Sequence, residues 1–109
     1  HLGDPHRNMV DFAHVPVVRR QTRMPVCIDP SHSVGTLRAA PDGLPDIYHV
    51  TGQGIIAGAS MVLVDVHPVP EKALCDGPQA LRLEEVPRFV EYVRRVRACY
   101  DEVTRGAGE

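Results

Sequence analysis

The sequence predicts an α/β fold with parallel strands. Three observations carry that reading: two short apolar runs without alternation, helical periodicity around and between them, and side chains of metal-ligating type just past each run. The 109-residue chain supplies these elements in the order helix, strand, helix, strand, helix.

Asp11 to Arg20 is the weakest helical segment, because Pro16 interrupts it. Met24 to Ile28 and Met61 to Val64 read as strands buried on both faces, since they are short, rich in apolar residues and do not alternate. Between them, Pro45 to Ala57 has helical potential and is long enough for the crossover that parallel strands need. Gly52, Gly54 and Gly58 weaken that helix by roughly 1 kcal/mol each relative to Ala. Either they permit close packing on a neighbouring strand or the helix is short. Leu83 to Val103 is the strongest helix: Val86, Phe89, Val90, Val93, Val96 and Val103 recur at three- and four-residue steps. Glu84 and Glu85 favour its amino end, and Pro87 fits only in its first turn, so the regular helix is expected to start near Glu84. Gly106 and Gly108 are expected to end it. Pro68 and Pro70 mark a loop after the second strand.

Chemistry-bearing groups follow both strands. Asp29-Pro30-Ser31-His32 leaves the first, Val64-Asp65-Val66-His67-Pro68 leaves the second, and Asp76 follows within a Pro- and Gly-containing loop. An imidazole nitrogen and carboxylate oxygens are what a divalent metal takes. In an α/β barrel the carboxyl ends of strands carry the active site. Two strands buried on both faces cannot cover themselves, whereas a barrel needs about 250 residues and eight strands. The chain is therefore expected to be the C-terminal portion of something larger: residues 1–109 as the last two strands and three helices of a single TIM (β/α)8 barrel domain.

These motifs resemble a family. Arg7-Asn8-Met9-Val10-Asp11, Val15-Pro16-Val17-Val18, Asp29-Pro30-Ser31-His32-Ser33, His67-Pro68-Val69-Pro70-Glu71-Lys72-Ala73-Leu74 and Asp76-Gly77-Pro78-Gln79 are together similar to the C-terminal part of the 3-deoxy-D-arabino-heptulosonate 7-phosphate (DAHP) synthases. A sister family, the 3-deoxy-D-manno-octulosonate 8-phosphate synthases, shares the barrel, the chemistry and the Pro-Glu-Lys-Ala-Leu segment. Val10-Asp11-Phe12 and His32-Ser33-Val34 look somewhat like that family, whereas Pro30-Ser31 and Gly77-Pro78-Gln79 favour the DAHP type.

The resemblance implies a metal-dependent condensation of phosphoenolpyruvate with an aldose phosphate, erythrose 4-phosphate favoured, with release of phosphate. It implies a place in the shikimate pathway or related secondary metabolism. A divalent ion (Mn, Fe, Co or Zn) polarises the aldehyde oxygen as a Lewis acid. The family's metal ligands are a Cys, a His, a Glu and an Asp. The His falls on His32, the Glu on Asp65 and the Asp on Asp76; His32 and Asp76 are also the catalytic candidates. The Cys belongs to the barrel's first strand and is none of Cys27, Cys75 or Cys99. Asp65 departs from the family by one methylene, so ion or backbone must shift by roughly 1 to 1.5 Å to restore a bond near 2.1 Å. Metal binding is expected to persist with an altered preference. Cys75 stands where the family usually has Ser, and is read as a small, partly buried thiol rather than a ligand.

Arg7, Arg38 and His67 are the candidate substrate-binding residues. His67 lies two residues beyond Asp65, on the same face of an extended chain, where it either contacts a ligand or phosphate or holds the His-Pro turn. Arg38 sits in the loop Ser33 to Asp46, which reads as a lid or as plain disorder. His1, His6, His14 and His49 read as surface or loop residues, with His6, beside Arg7, a secondary candidate for approaching a substrate phosphate. Cys27 and Cys99 read as core residues, and three cysteines without paired spacing fit a reducing, cytoplasmic setting.

Twelve basic against fourteen acidic residues give a net charge of −2, with no basic stripe for nucleic acid and no apolar run of membrane-spanning length. Arg94, Arg95 and Arg97 read as a solvated helix face or a subunit contact, and a homo-oligomer is expected. The chain should be inactive until the N-terminal part of the barrel, in the same or a separate chain, completes it. Alternatives are the same chemistry on arabinose 5-phosphate, and a catalytically weakened homologue with a regulatory or structural role, to which Asp65 and the glycine-rich helix give weight.

Overall fold

A computed structural model describes residues 11–31, 41–70 and 80–107 of the chain. The elements are α1 (His14–Thr22), β1 (Cys27–Ile28), α2 (Asp46–Ile56), β2 (Met61–Val62), β3 (Val66–His67), β4 (Leu81–Arg82), a 3₁₀ turn (Leu83–Glu85) and α3 (Val86–Ala107). β1 pairs parallel with β2, in the register Cys27 with Met61 and Ile28 with Val62. β3 pairs parallel with β4, Val66 with Leu81 and His67 with Arg82. The predicted helix–strand–helix–strand–helix order holds, and β3 and β4 are additions to it.

Helix α1 begins later than expected, at His14, which places Pro16 in the first turn. There its missing N–H has no intrahelical carbonyl to lose, so the residue opens the helix instead of breaking it. The helix ends at Arg23, whose left-handed backbone (φ 58°) returns its N–H to the Arg19 carbonyl at 2.8 Å.

Helix α2 fills the βαβ crossover and carries much of the core. Ile47, Tyr48 and Ile55 are buried on it; Ile47 and Tyr48 pack with Leu81 of β4 and Phe89 of α3, flanked by Val62, Val64, Tyr92 and Val93. The Tyr48 ring meets Phe89 edge-on, with centroids 5.4 Å apart, and Tyr92 at 4.9 Å. Burial pushes the Tyr48 phenol up, opposed by the nearby Arg88 cation. A second cluster joins Val15, Ile28 and Ala59. Val62 packs against both, so the two clusters are continuous.

The glycines of α2 serve close packing. A Cβ on Gly52 would lie 2.5 Å from the Tyr92 hydroxyl, and one on Gly54 would run into the Ile28 δ-methyl. The helix is not shortened by them, since it spans Asp46 to Ile56.

Within this chain one face of the strands stays open, as expected of strands that cannot cover themselves: Ile28 is buried, but Cys27 is exposed, and Met61 and Leu63 are 62% and 55% exposed. No described element covers those side chains. Several expectations are corrected. Cys27 and Cys99 are exposed, not core; Cys99 lies off the stripe of Phe89, Tyr92, Val93, Val96 and Tyr100 by which α3 faces the protein. Helix α3 is preceded by the 3₁₀ turn and runs past Gly106 to Ala107, with Pro87 in its first turn as expected. His49 lies in α2, with Nε2 2.9 Å from the Asp42 carboxylate, instead of at an unpartnered surface. His14 is exposed, as expected.

Candidate functional site

The site is built where β1 and β2 end. The β1–β2 ladder runs from the Val26 carbonyl, which accepts from Ser60 at 2.8 Å, to the Ile28 carbonyl, which accepts from Leu63 at 2.8 Å. The next step of a parallel ladder would bring the Asp65 N–H to the carbonyl two residues past Ile28. The chain turns away there through Pro30 and Ser31, both fully buried. The Ser31 hydroxyl replaces the missing carbonyl and accepts the Asp65 N–H at 3.0 Å. On its other side, the Asp65 carbonyl accepts from the Leu81 N–H at 2.8 Å. Asp65 thus sits at the junction of the two parallel pairs, half-buried, with its backbone held from both directions.

His67 is also described. Its Nδ1 accepts the Val69 N–H at 2.9 Å across Pro68. That bond assigns the ring proton of the neutral imidazole to Nε2. Of the two roles open to His67, the structure displays the turn-holding one. His67 comes opposite Arg82 in register, which places a second half-buried basic residue beside it. Arg82 went unnoticed in the sequence because a single Arg ahead of Leu-Glu-Glu carries no local signal. Ser31 was quoted only as part of a motif, and its bond to a residue 34 positions away has no local signature either.

His32, Asp76, Arg7 and Arg38 lie outside the described residues, as do Cys75, His1, His6 and most of the proposed lid. At the lid's end, the Asp42 carboxylate accepts the Leu44 N–H at 2.9 Å. That bond first, and His49 second, hold its carboxyl below the usual carboxylate range. Among the described residues no three His, Cys, Asp or Glu side chains gather as a metal would need. Of the three expected ligands only Asp65 is described, and its backbone N–H is bonded to Ser31. No helix among the described residues is long and apolar enough to cross a membrane.

A parallel βαβ unit with an acidic residue, Asp65, just past the carboxyl end of its second strand belongs to the class of α/β folds that bind ligands at strand ends. Comparison with known proteins makes this specific. The sequence profile of the DAHP synthetase I family matches residues 2–102. A phospho-2-dehydro-3-deoxyheptonate aldolase of Thermotoga maritima is 34% identical over 90 residues, covering 83% of this chain and 25% of that protein. A 2-dehydro-3-deoxyphosphooctonate aldolase of Desulfosudis oleivorans is 34% identical over 98 residues, covering 86% of this chain and 35% of its own length. The crystal structure of the Thermotoga DAHP synthase superposes with a TM-score of 0.74 at 32% identity, over 91% of this chain and 27% of that one. The chain belongs to the DAHP synthetase I family, and it spans about a quarter to a third of the length of the relatives it matches.

Proposed function

We propose that this chain is the C-terminal part of a (β/α)8 barrel which, when complete, condenses phosphoenolpyruvate with an aldose phosphate and releases phosphate. The observation that carries the reading is the superposition on the Thermotoga DAHP synthase at a TM-score of 0.74, combined with the tie between the residue preceding His32 and Asp65. That tie joins the strand ends where the reading puts the chemistry.

In this reading His32, Asp65 and Asp76 hold a divalent ion together with a Cys from the barrel's first strand. The ion supplies Lewis-acid polarisation of the aldehyde oxygen. Arg7 and Arg38 offer cationic groups for the substrates' phosphates, and His67 orders the turn that leads into the Asp76 loop. Erythrose 4-phosphate is the first choice of aldose, supported by the Thermotoga relative's name. The octulosonate-type relatives give arabinose 5-phosphate a specific claim as the second.

The exposed apolar residues support completion by further polypeptide. A cavity of about 480 Å³ opens between α2, α3 and the strands, lined by Met61, Val62, Val66, Leu81, Phe89 and Val90 among others. Met61, Val66 and Val90 are each at least 40% exposed. We assign this face to the remainder of the barrel.

The test is complementation. The chain is co-expressed with the preceding segment of the Thermotoga relative, and phosphate release is measured with phosphoenolpyruvate and each aldose phosphate. The expected result is turnover with erythrose 4-phosphate from the pair and none from either part. An assembled pair that binds a divalent metal yet releases no phosphate with any aldose phosphate would instead identify a catalytically weakened homologue.

A further inference from the structure

We propose that a cleft at the amino ends of β1 and β2 binds an organic phosphate, with the phosphate on Arg19, Arg20 and Arg23 and the carbon body against Met24. None of these residues is an expected cation ligand or substrate contact, so the cleft is independent of the proposed reaction.

The cleft has a volume of about 640 Å³, within the range of small-molecule sites and more than a bare phosphate fills. It lies between the last turn of α1 and the residues that lead into the strands, Met24 and Pro25 ahead of β1 and Ser60 ahead of β2. That is the end of the parallel pair opposite to Asp65. Three arginines line it and no carboxylate does. Among the described residues none of the three has an ion-pair partner, whereas Arg95 and Arg97 of α3 are paired with Glu91 and Asp101. Guanidinium groups gathered around one hollow repel each other, and an anion among them turns that repulsion into attraction. Their planar forks match the oxygens of a phosphate.

Two of the arginines are placed by more than chance. Arg19 Nη1 donates to the Gly58 carbonyl at 3.2 Å and to the Tyr100 hydroxyl at 3.0 Å, which fixes the guanidinium between the α2–β2 turn and α3. Among the described residues its Nε and Nη2 donors have no acceptor. Arg23 has a φ of 58°, the one positive value outside glycine among the described residues. Glycine adopts that backbone freely and arginine does so at a cost, which a use for the side chain offsets. Met24, 64% exposed, gives the cleft an apolar wall beside the charges, as a ligand with a carbon body requires. The plainer reading is that the arginines only complement the negative carboxyl end of α1. It accounts for charge there, and predicts that losing one lowers stability without any special effect on anions.

The full chain is titrated with phenyl phosphate, inorganic phosphate and phenol, and the NMR signals of the arginine Nε–H groups are followed. Phenyl phosphate is expected to move those of Arg19, Arg20 and Arg23 along one saturating curve and to leave that of Arg95 in place. It should bind about tenfold more tightly than inorganic phosphate, through the ring it buries, and phenol should move none of them. Arg23→Gly removes a guanidinium while suiting the backbone better, so it is expected to weaken phenyl phosphate about tenfold without lowering the melting temperature. Arg20→Gln, on the exposed side of α1, is the second variant and should weaken binding to the same extent. Arg95→Gln, an equal loss of charge outside the cleft, should leave binding unchanged. Equal weakening by all three variants, or shifts that never saturate, would mean diffuse attraction and overturn the site. Equal affinity for phenyl phosphate and inorganic phosphate overturns the organic ligand. A lower melting temperature with unchanged binding in Arg23→Gly and Arg20→Gln leaves the helix-end reading in its place.

Discussion

At the scale of single residues, Asp65 concentrates the question of how this chain differs from its family. The resemblance places a Glu where Asp65 stands, and the shorter side chain withdraws the carboxylate by about one carbon–carbon bond. In a mobile loop the main chain would absorb that difference. Here the Asp65 N–H is taken by Ser31 and its C=O by Leu81. If Asp65 helps to hold a cation, as we propose, the adjustment would fall on that ion and not on the backbone. Large, geometrically permissive ions tolerate this better than small ones with rigid demands. Asp65→Glu in the completed enzyme is thus expected to change relative affinity among Mn, Co and Zn by about tenfold, measured by competitive titration. Identical preferences in the two forms would show that the shortening has no consequence.

At the scale of elements, the parts of the fold visible in the sequence are those whose signal is local. The runs at Met24–Ile28 and Met61–Val64 announced β1 and β2 because a parallel pair behind a crossover helix reads as bare apolar sequence. Leu83–Val103 announced α3 through its three- and four-residue spacing. β3 and β4 were not legible: each has only two residues, too few to show a period, and their pairing depends on Leu81 reaching Asp65 across the chain. The motifs leaving the strands carried the family resemblance, but the Ser31–Asp65 bond was not legible, because it depends on register. Cys27 misled because residue type suggests burial while strand alternation turned it outward. The glycines of α2 posed a choice that only packing settles, and the same packing gives a paired prediction. Ala is a better helix former than Gly by roughly 1 kcal/mol. At Gly106 nothing lies within 4 Å of an added Cβ, so Gly106→Ala is expected to stabilise by roughly 0.5–1 kcal/mol. At Gly54 the added methyl meets Ile28, itself 6% exposed and packed against Val15 and Ala59. Overpacking there should outweigh the helical gain and leave Gly54→Ala destabilised by about 1–2 kcal/mol. Ile28→Val, which removes the obstructing δ-methyl, should relieve it. Thermal melts of the three variants check the set, and a stabilised Gly54→Ala would mean that the α2–β1 contact is looser than described.

At the scale of the whole molecule, the chain is nearly neutral, with a net charge of −2, but has an unusual distribution of apolar surface. Its radius of gyration is 14.7 Å, against about 13 Å expected for a compact domain of 109 residues. Met24, Met61, Leu63, Leu83 and Val103 are all more than half exposed. Isolated exposed apolar residues need no explanation, but Met61, Val66 and Val90 border one continuous groove of about 480 Å³. If that groove seats the rest of a barrel, its residues have two different energetic lives. In the chain by itself Met61 is 62% exposed, so Met61→Asp should alter stability by no more than about 0.5 kcal/mol. In the completed barrel the same carboxylate would be buried without a partner, at a cost of several kcal/mol. Met61→Asp is therefore expected to leave the thermal melt of the chain unchanged while abolishing co-purification with the complementing segment, and phosphate release with it. Arg95→Asp is the matched control: Arg95 is solvent-facing, paired among the described residues with Glu91 at 3.4 Å on its own helix, and outside the groove. It should co-purify normally. Undiminished assembly by Met61→Asp would mean that the groove is not where the missing strands close the structure, and that the chain meets its partner through another face.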